Sequence, residues 1–205
     1  MTPKNKKISE DVMKITADKI HNILHMNSDG SRKAILANLR KGIGHPPGDL
    51  PVLWGEIFGD LPVEMFGRDG KPTAEEWAIY IALTTFALHQ QGHDHKSQPM
   101  HSSENRIGIS ISKLIQTEDD RPRITRRFNA MATASNINEL SHHLRGIVQL
   151  LREKNIPMNY SLLARDLYLY QRPSTVHQVR LTWGQDFYRI HNENEERKGL
   201  ENEKS

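Results

Sequence analysis

The stretch RPRITRR, residues 121–127, puts four arginines into seven positions. A guanidinium stays charged and donates hydrogen bonds as a planar fork, a shape that suits phosphate oxygens. On a helix, Arg123 and Arg127 stack one turn apart with Arg126 beside them and Arg121 just before, while Ile124 and Phe128 point the other way. Like charges at that spacing repel and weaken a helix modestly, so the cluster is expected to meet an anion. The competing reading is a solvated face partly neutralised by Glu118, Asp119 and Asp120. Other basic residues fall on outer helix faces. Arg145, Gln149 and Arg152 share one face, Arg165 and Arg172 follow, and the doublets Arg32–Lys33 and Arg40–Lys41 bound a short helix. Singly these read as solubilising charges; together they could form a band that tracks a phosphate backbone.

Histidine is the rival signal. His89 and His93 lie four apart, with His95 and His101 close behind, a spacing that can bring imidazoles to one metal. Without HExxH or a carboxylate-rich partner element the pattern is weak, and exposed, unliganded histidine is the default in a polar loop. One of His142–His143 should be half-buried beside a leucine stripe. No phosphate-binding GxxxxGK[ST], no GxGxxG after a strand and no GxSxG elbow is present. No catalytic residue, metal or cofactor is therefore assigned. Trp54, Trp77 and Trp183 read as packing residues. Tyr160, Tyr168 and Tyr170, near Arg165 and Arg172, are the better candidates for base stacking.

The elements that must hold these side chains are helical. Period-3.6 patterns abound and strand alternation is scarce. Ile8, Val12 and Ile15 start one helix, with Ser9 as a possible cap, and NSDGS at 27–31 reads as a turn. A helix through Ile35 and Leu39 ends at KGIGHPPG, and residues 49–72 read as short helical turns on a core. Thr73 and Glu76 form a capping box for a helix that is apolar nearly all round, and so buried, ending at Gly92. The polar, histidine-rich stretch to Asn105 is long for an internal loop and is the boundary candidate. Beyond it, stripes through Ile107–Ile115, Ile124–Met131, Leu140–Leu151 and Leu163–Tyr170 make four helices. Val176 to Phe187 either forms a fifth or continues the fourth at an angle, so Pro173 leaves the count at four or five. The expectation is an all-α, two-lobed helical bundle of roughly eight or nine helices. Its parts are an N-terminal lobe over 1–100, a C-terminal bundle over 101–190 and a frayed polar tail over 191–205.

Composition narrows the function. The 205 residues include no cysteine, which excludes disulfides, thiolate metal sites and cysteine nucleophiles. The formal charge of +3 is unevenly spread: residues 34–105 carry 5 basic and 9 acidic side chains, residues 106–190 carry 13 and 7. The longest apolar run, WAIYIAL at 77–83, is far short of the ~20 residues of a spanning helix. The N-terminus lacks the apolar core of a secretory signal. A soluble cytoplasmic protein with no membrane contact is expected.

RIGISISKLI, RPRITRRF, LSHHLRGIVQLLREKNIPMNYSLLARDLYLYQR and TWGQDFY, in this order between Arg106 and Tyr188, resemble the small subunit of the type I-E CRISPR Cascade complex, the CasB family. The long histidine-rich loop and the acidic tail depart from that family's pattern. The resemblance implies an all-helical, two-lobed, non-enzymatic protein. It implies two copies side by side in a ribonucleoprotein, with backbone and large subunits and a guide RNA as partners. They would contact the target and displaced DNA strands and hold the R-loop, antiviral work completed by a recruited helicase-nuclease. It carries over to Arg121, Arg126, Arg127, Arg145, Arg165 and Arg172; Arg123, Arg32, Lys33, Arg40 and Lys41 rest on the residue pattern. Two alternatives stand beside it: a sequence-specific helical DNA-binding regulator using the helices at 122–134 and 138–152, and a metal-dependent hydrolase using His89, His93, His95 and His101.

Overall fold

Local capping signals start most of the helices. In a computed structural model that describes the backbone of residues 2–202 and the side chains of residues 2–189, the described residues form nine α-helices and no strand. Helix α1 runs Pro3–Leu24; the Thr2 side chain caps it, and proline stands in its first turn. Ser9 is no cap: it is buried within α1, its hydroxyl donating to Lys6 O. The NSDGS turn is short, because Ser28 already caps α2 (Asp29–Lys41).

Two 3-10 turns and α3 (Trp54–Phe58) fill residues 51–65 and bury Leu53, Ile57 and Met65. Trp54 departs from the packing role expected of it, remaining 49% exposed with its indole N–H donating to Gly48 O. The Thr73–Glu76 capping box then opens α4 (Ala74–His89), buried without a break from Ala78 onward. It is enclosed because α1, α2, α7 and α8 all pack around it. The helix stops at His89, and the chain turns away at Gly92, whose φ of +87° suits a residue without Cβ.

The histidine-rich stretch is fastened to the body. Met158 N donates to Met100 O, Ser102 N to Met158 O, and Asn159 N to Asn105 O, while Met100 is buried. After it come α5 (Ile107–Ser112), α6 (Asp120–Ala132), α7 (Ile137–Glu153), α8 (Tyr160–Tyr170) and α9 (Val176–Asn202). The stripe Leu140, Leu144, Ile147, Val148 and Leu151 on α7 is buried as its spacing dictates.

One buried cluster extends from Val12 to Phe187 through both halves of the sequence. Helix α1 lies along α8, and α4 is wedged against α7 and α8. A division at residues 100/101 falls inside that shared core. The tail expected to fray is helical in its backbone as far as Asn202, and residues 203–205 lie outside the described residues. None of the described helices is long and apolar enough to cross a membrane.

Candidate nucleic-acid interface

Helices α6, α7, α4 and α2 are neighbours in that order, which brings basic residues from distant parts of the sequence onto adjoining elements. Tyr170 fixes the α6–α7 turn from below: its hydroxyl lies 3.1 Å from Ala132 O and 2.7 Å from Ala134 O, and Arg180 donates to the same Ala134 carbonyl at 3.0 Å. With that turn held, Ile124 and Phe128 of α6 face the core, and Arg126 and Arg127 face solvent.

The eleven basic residues singled out by the sequence then separate into two groups. Several are engaged within the protein. Arg121 meets Glu118 through two nitrogens at 3.1 Å, and Arg123 meets Asp120 at 2.8 Å. The Asp120 carboxyl is held below its ordinary range, first by Arg123 and then by the Thr117 hydroxyl. Arg165 donates to Asp166 at 2.9 Å. Arg172 lies 3.5 Å from Glu75 and over the Tyr168 ring, 4.3 Å from its centroid. Lys33 pairs with Asp29 at 2.7 Å. Arg32 is a correction to the expected surface doublet: it is buried, donating to Met26 O at 3.1 Å and pairing with Asp29.

The other group has no acidic partner among the described residues. Arg126, Arg127 and Arg145 are exposed and make no side-chain hydrogen bond or ion pair there. Lys41 reaches only the amide oxygen of Asn38, at 3.0 Å. Arg40 is half-buried, and burial together with the like charge of Arg152 draws its pKa below the usual guanidinium range. Arg152 itself donates to Gln91 Oε1 at 3.2 Å. It belongs with this group although the sequence put it on the same footing as any outer-face arginine. Its closeness to Arg40, 112 positions earlier in the chain, has no local sequence signal. Arg127 of α6 reaches α7 at Gly146, the residue after Arg145, and Arg145 and Arg152 are two turns apart, about 10.5 Å along α7. The result is a strip of unneutralised cations running from α6 across α7 to the end of α2.

The aromatic candidates do not line it. Tyr160, Tyr168 and Tyr170 are all buried. Tyr160 shares a 2.8 Å hydrogen bond with His89, and burial pushes its hydroxyl pKa well up. Of the histidines, His89 is fully buried and its pKa falls to about 4 through desolvation. His101 is half-buried, lowered for the same reason, and sits within a ring contact of Tyr160. Among the described residues no three histidine or carboxylate groups converge to hold a metal ion. His143 is half-buried beside the leucine stripe, as its position suggests.

Fold and surface together define an all-helical protein with a cationic face. The family model described as CRISPR-associated protein Cse2 matches residues 35–188. The chain belongs to the Cse2 (CasB) family, the small-subunit family that its sequence resembles. Similar solved structures include CasB from Thermobifida fusca, with 29% identity, a TM-score of 0.68 and coverage of 88% of this chain and 97% of that one. CasB from M. ruber has 22% identity and a TM-score of 0.65 over 88% and 96% of the two chains. A Cse2-family protein from Thermus thermophilus shares the fold at 19% identity and a TM-score of 0.64, over 92% and 99%. Among curated proteins none matches.

Proposed function

We propose that this protein is a non-catalytic subunit of a Cascade ribonucleoprotein that holds the target and displaced DNA strands beside the guide RNA through their phosphates, stabilising the R-loop during antiviral defence. The reading places it beside backbone and large subunits and a second copy of itself in the cytoplasm. The observation that carries it is the strip Arg126, Arg127, Arg145, Arg152, Arg40 and Lys41, none of which has an acidic partner among the described residues.

Unpaired arginines held close together repel one another, and a polyanion relieves that repulsion. Binding phosphates releases condensed counterions, which supplies favourable free energy without reading any base. Replacing a DNA duplex by an RNA–DNA hybrid is nearly balanced energetically, so modest backbone contacts can tip it. Sequence choice is thereby left to base pairing, and a base-blind cationic surface suits every target.

The test is titration of the purified chain with single-stranded oligonucleotides of different sequence over several salt concentrations, and co-expression with its genomic neighbours. Engagement of all six cations gives a log K against log salt slope near −4, at about −0.7 per phosphate on single strands. Affinity indifferent to salt, strong sequence preference, or elution apart from any guide RNA would count against the reading.

A further inference from the structure

A cleft of about 420 Å³ opens at the edge of the strip, between the Gly42–Pro46 turn, α4 and α7. Its floor is aromatic and internally satisfied. Tyr80 donates its hydroxyl to Gly42 O at 2.8 Å, and the Thr84 and Thr85 hydroxyls donate back to their own helix at 2.8 and 2.5 Å. Half-buried Trp77 stands beside this floor. The α7 wall is the opposite in character. Asn138, Ser141, His142 and Arg145 fall at helical spacing on one face. The Asn138, Ser141 and Arg145 side chains have no hydrogen-bond partner among the described residues. No acidic residue lines the cleft. Asp49, which is not part of the lining, lies 3.6 Å from His45, and its charge reaches the Tyr80 hydroxyl on the floor.

A half-buried indole beside a closed floor, a wall with unused amide and hydroxyl groups, and an unpaired guanidinium match a planar polar ring joined to an anion. We propose that this cleft receives one nucleotide unit, its base against the half-buried Trp77 within reach of Asn138 and Ser141, and its phosphate on Arg145. Volumes of a few hundred Å³ are typical of small-ligand sites. The inference rests on the proposed function in one respect: a strand laid along Arg127 and Arg145 passes the mouth. The cleft then adds a base contact, tolerant of base identity, to the phosphate contacts of the strip. A free mononucleotide presents the same chemistry as a unit of a strand.

The experiment uses the full chain and two single-stranded probes with equal numbers of phosphates, hexathymidylate and its fully abasic counterpart. Ser141→Phe fills the cleft and leaves every arginine of the strip in place. Asn138→Trp, at an exposed position of the first turn, is the second blocking variant should Ser141→Phe fail to fold. The native protein should bind the base-bearing strand about 5- to 150-fold more tightly, the range expected for stacking of one base. The blocked variant should lose that preference and bind both strands as the native protein binds the abasic one. Equal native affinity for both strands, with salt dependence intact, overturns the cleft and leaves the strip standing. If neither strand binds, the strip reading fails. The cleft is then decided by thymidine monophosphate, whose quenching of tryptophan emission in the native protein but not in the blocked variant supports it. Absence of that difference overturns it.

Discussion

The Arg127 guanidinium rests over Gly146 of α7: a Cβ at residue 146 would stand 3.5 Å from Arg127 Nη1. An arginine of α6 is thereby carried to the α7 surface at the residue that follows Arg145 in the chain. The glycine leaves the crossing free, and that contact joins two helices into one cationic face. Gly146→Ala meets only the end of a flexible side chain there, so the helix should gain roughly 0.5–1 kcal/mol from the better helix former. Gly146→Glu sets a carboxylate beside Arg127 and should weaken oligonucleotide binding at low salt while the chain stays folded. Thermal melts and a binding titration on both variants check this; unchanged binding in Gly146→Glu would separate Arg127 from the interface.

Arg126→Ala with Arg127→Ala should fold normally, because both side chains are solvent-exposed. If two phosphates are lost, the magnitude of the log K against log salt slope falls by about 1.4–1.8. Circular dichroism confirms the fold and fluorescence anisotropy gives the slope. An unfolded double variant would mean these arginines pack.

Arg40 and Arg152 oppose each other, so the free protein bears their repulsion. Arg152→Gln should leave stability within about 0.5 kcal/mol or raise it, since like charge is removed from a surface site. It should still weaken nucleic-acid binding. The pairing of unchanged or higher melting temperature with lower affinity is the signature. A parallel loss of both would show that Arg152 is structural.

Gly108 lies where α5 crosses α9, and a Cβ there would stand 2.5 Å from Trp183 O and 3.0 Å from Phe187 N. Those are backbone atoms that cannot rotate away. Gly108→Ala should destabilise the fold by about 1–3 kcal/mol, the usual cost of overpacking. Urea denaturation measures this, and a neutral result would mean that α5 can slide without loss.

His89 makes stability depend on acid. Its pKa is about 4 when folded against about 6.5 in an unfolded chain, so between those values the unfolded chain binds the extra proton. The stabilisation is full above pH 6.5 and is lost as pH falls through this window. At about 1.4 kcal/mol per pKa unit it amounts to a few kcal/mol, and His101 shifts in the same direction. Stability measured at pH 7 and pH 5 should fall less in His89→Gln than in the native chain. Equal losses would remove His89 as the source.

The sequence alone determined the helices, because burial of one face and capping are written within a turn or two of chain. Thr73 with Glu76, Asn136 with Glu139, and the Leu140–Leu151 stripe are legible for that reason. The sequence also located the excess charge in the second half. Only the tertiary structure decided which cations remain unneutralised. Arg32 and Arg40 lie in the same helix and read alike, yet Arg32 is buried against Asp29 and Met26 while Arg40 meets Arg152. Tyr160, Tyr168 and Tyr170 looked available for stacking and are enclosed. Helical periodicity states which side of a helix is apolar; it does not state which helices lie against it. The electrostatic environment of a side chain depends on those neighbours, and α7 packs against α4, α6 and α5, with Arg40 of α2 near enough for its charge to act on Arg152.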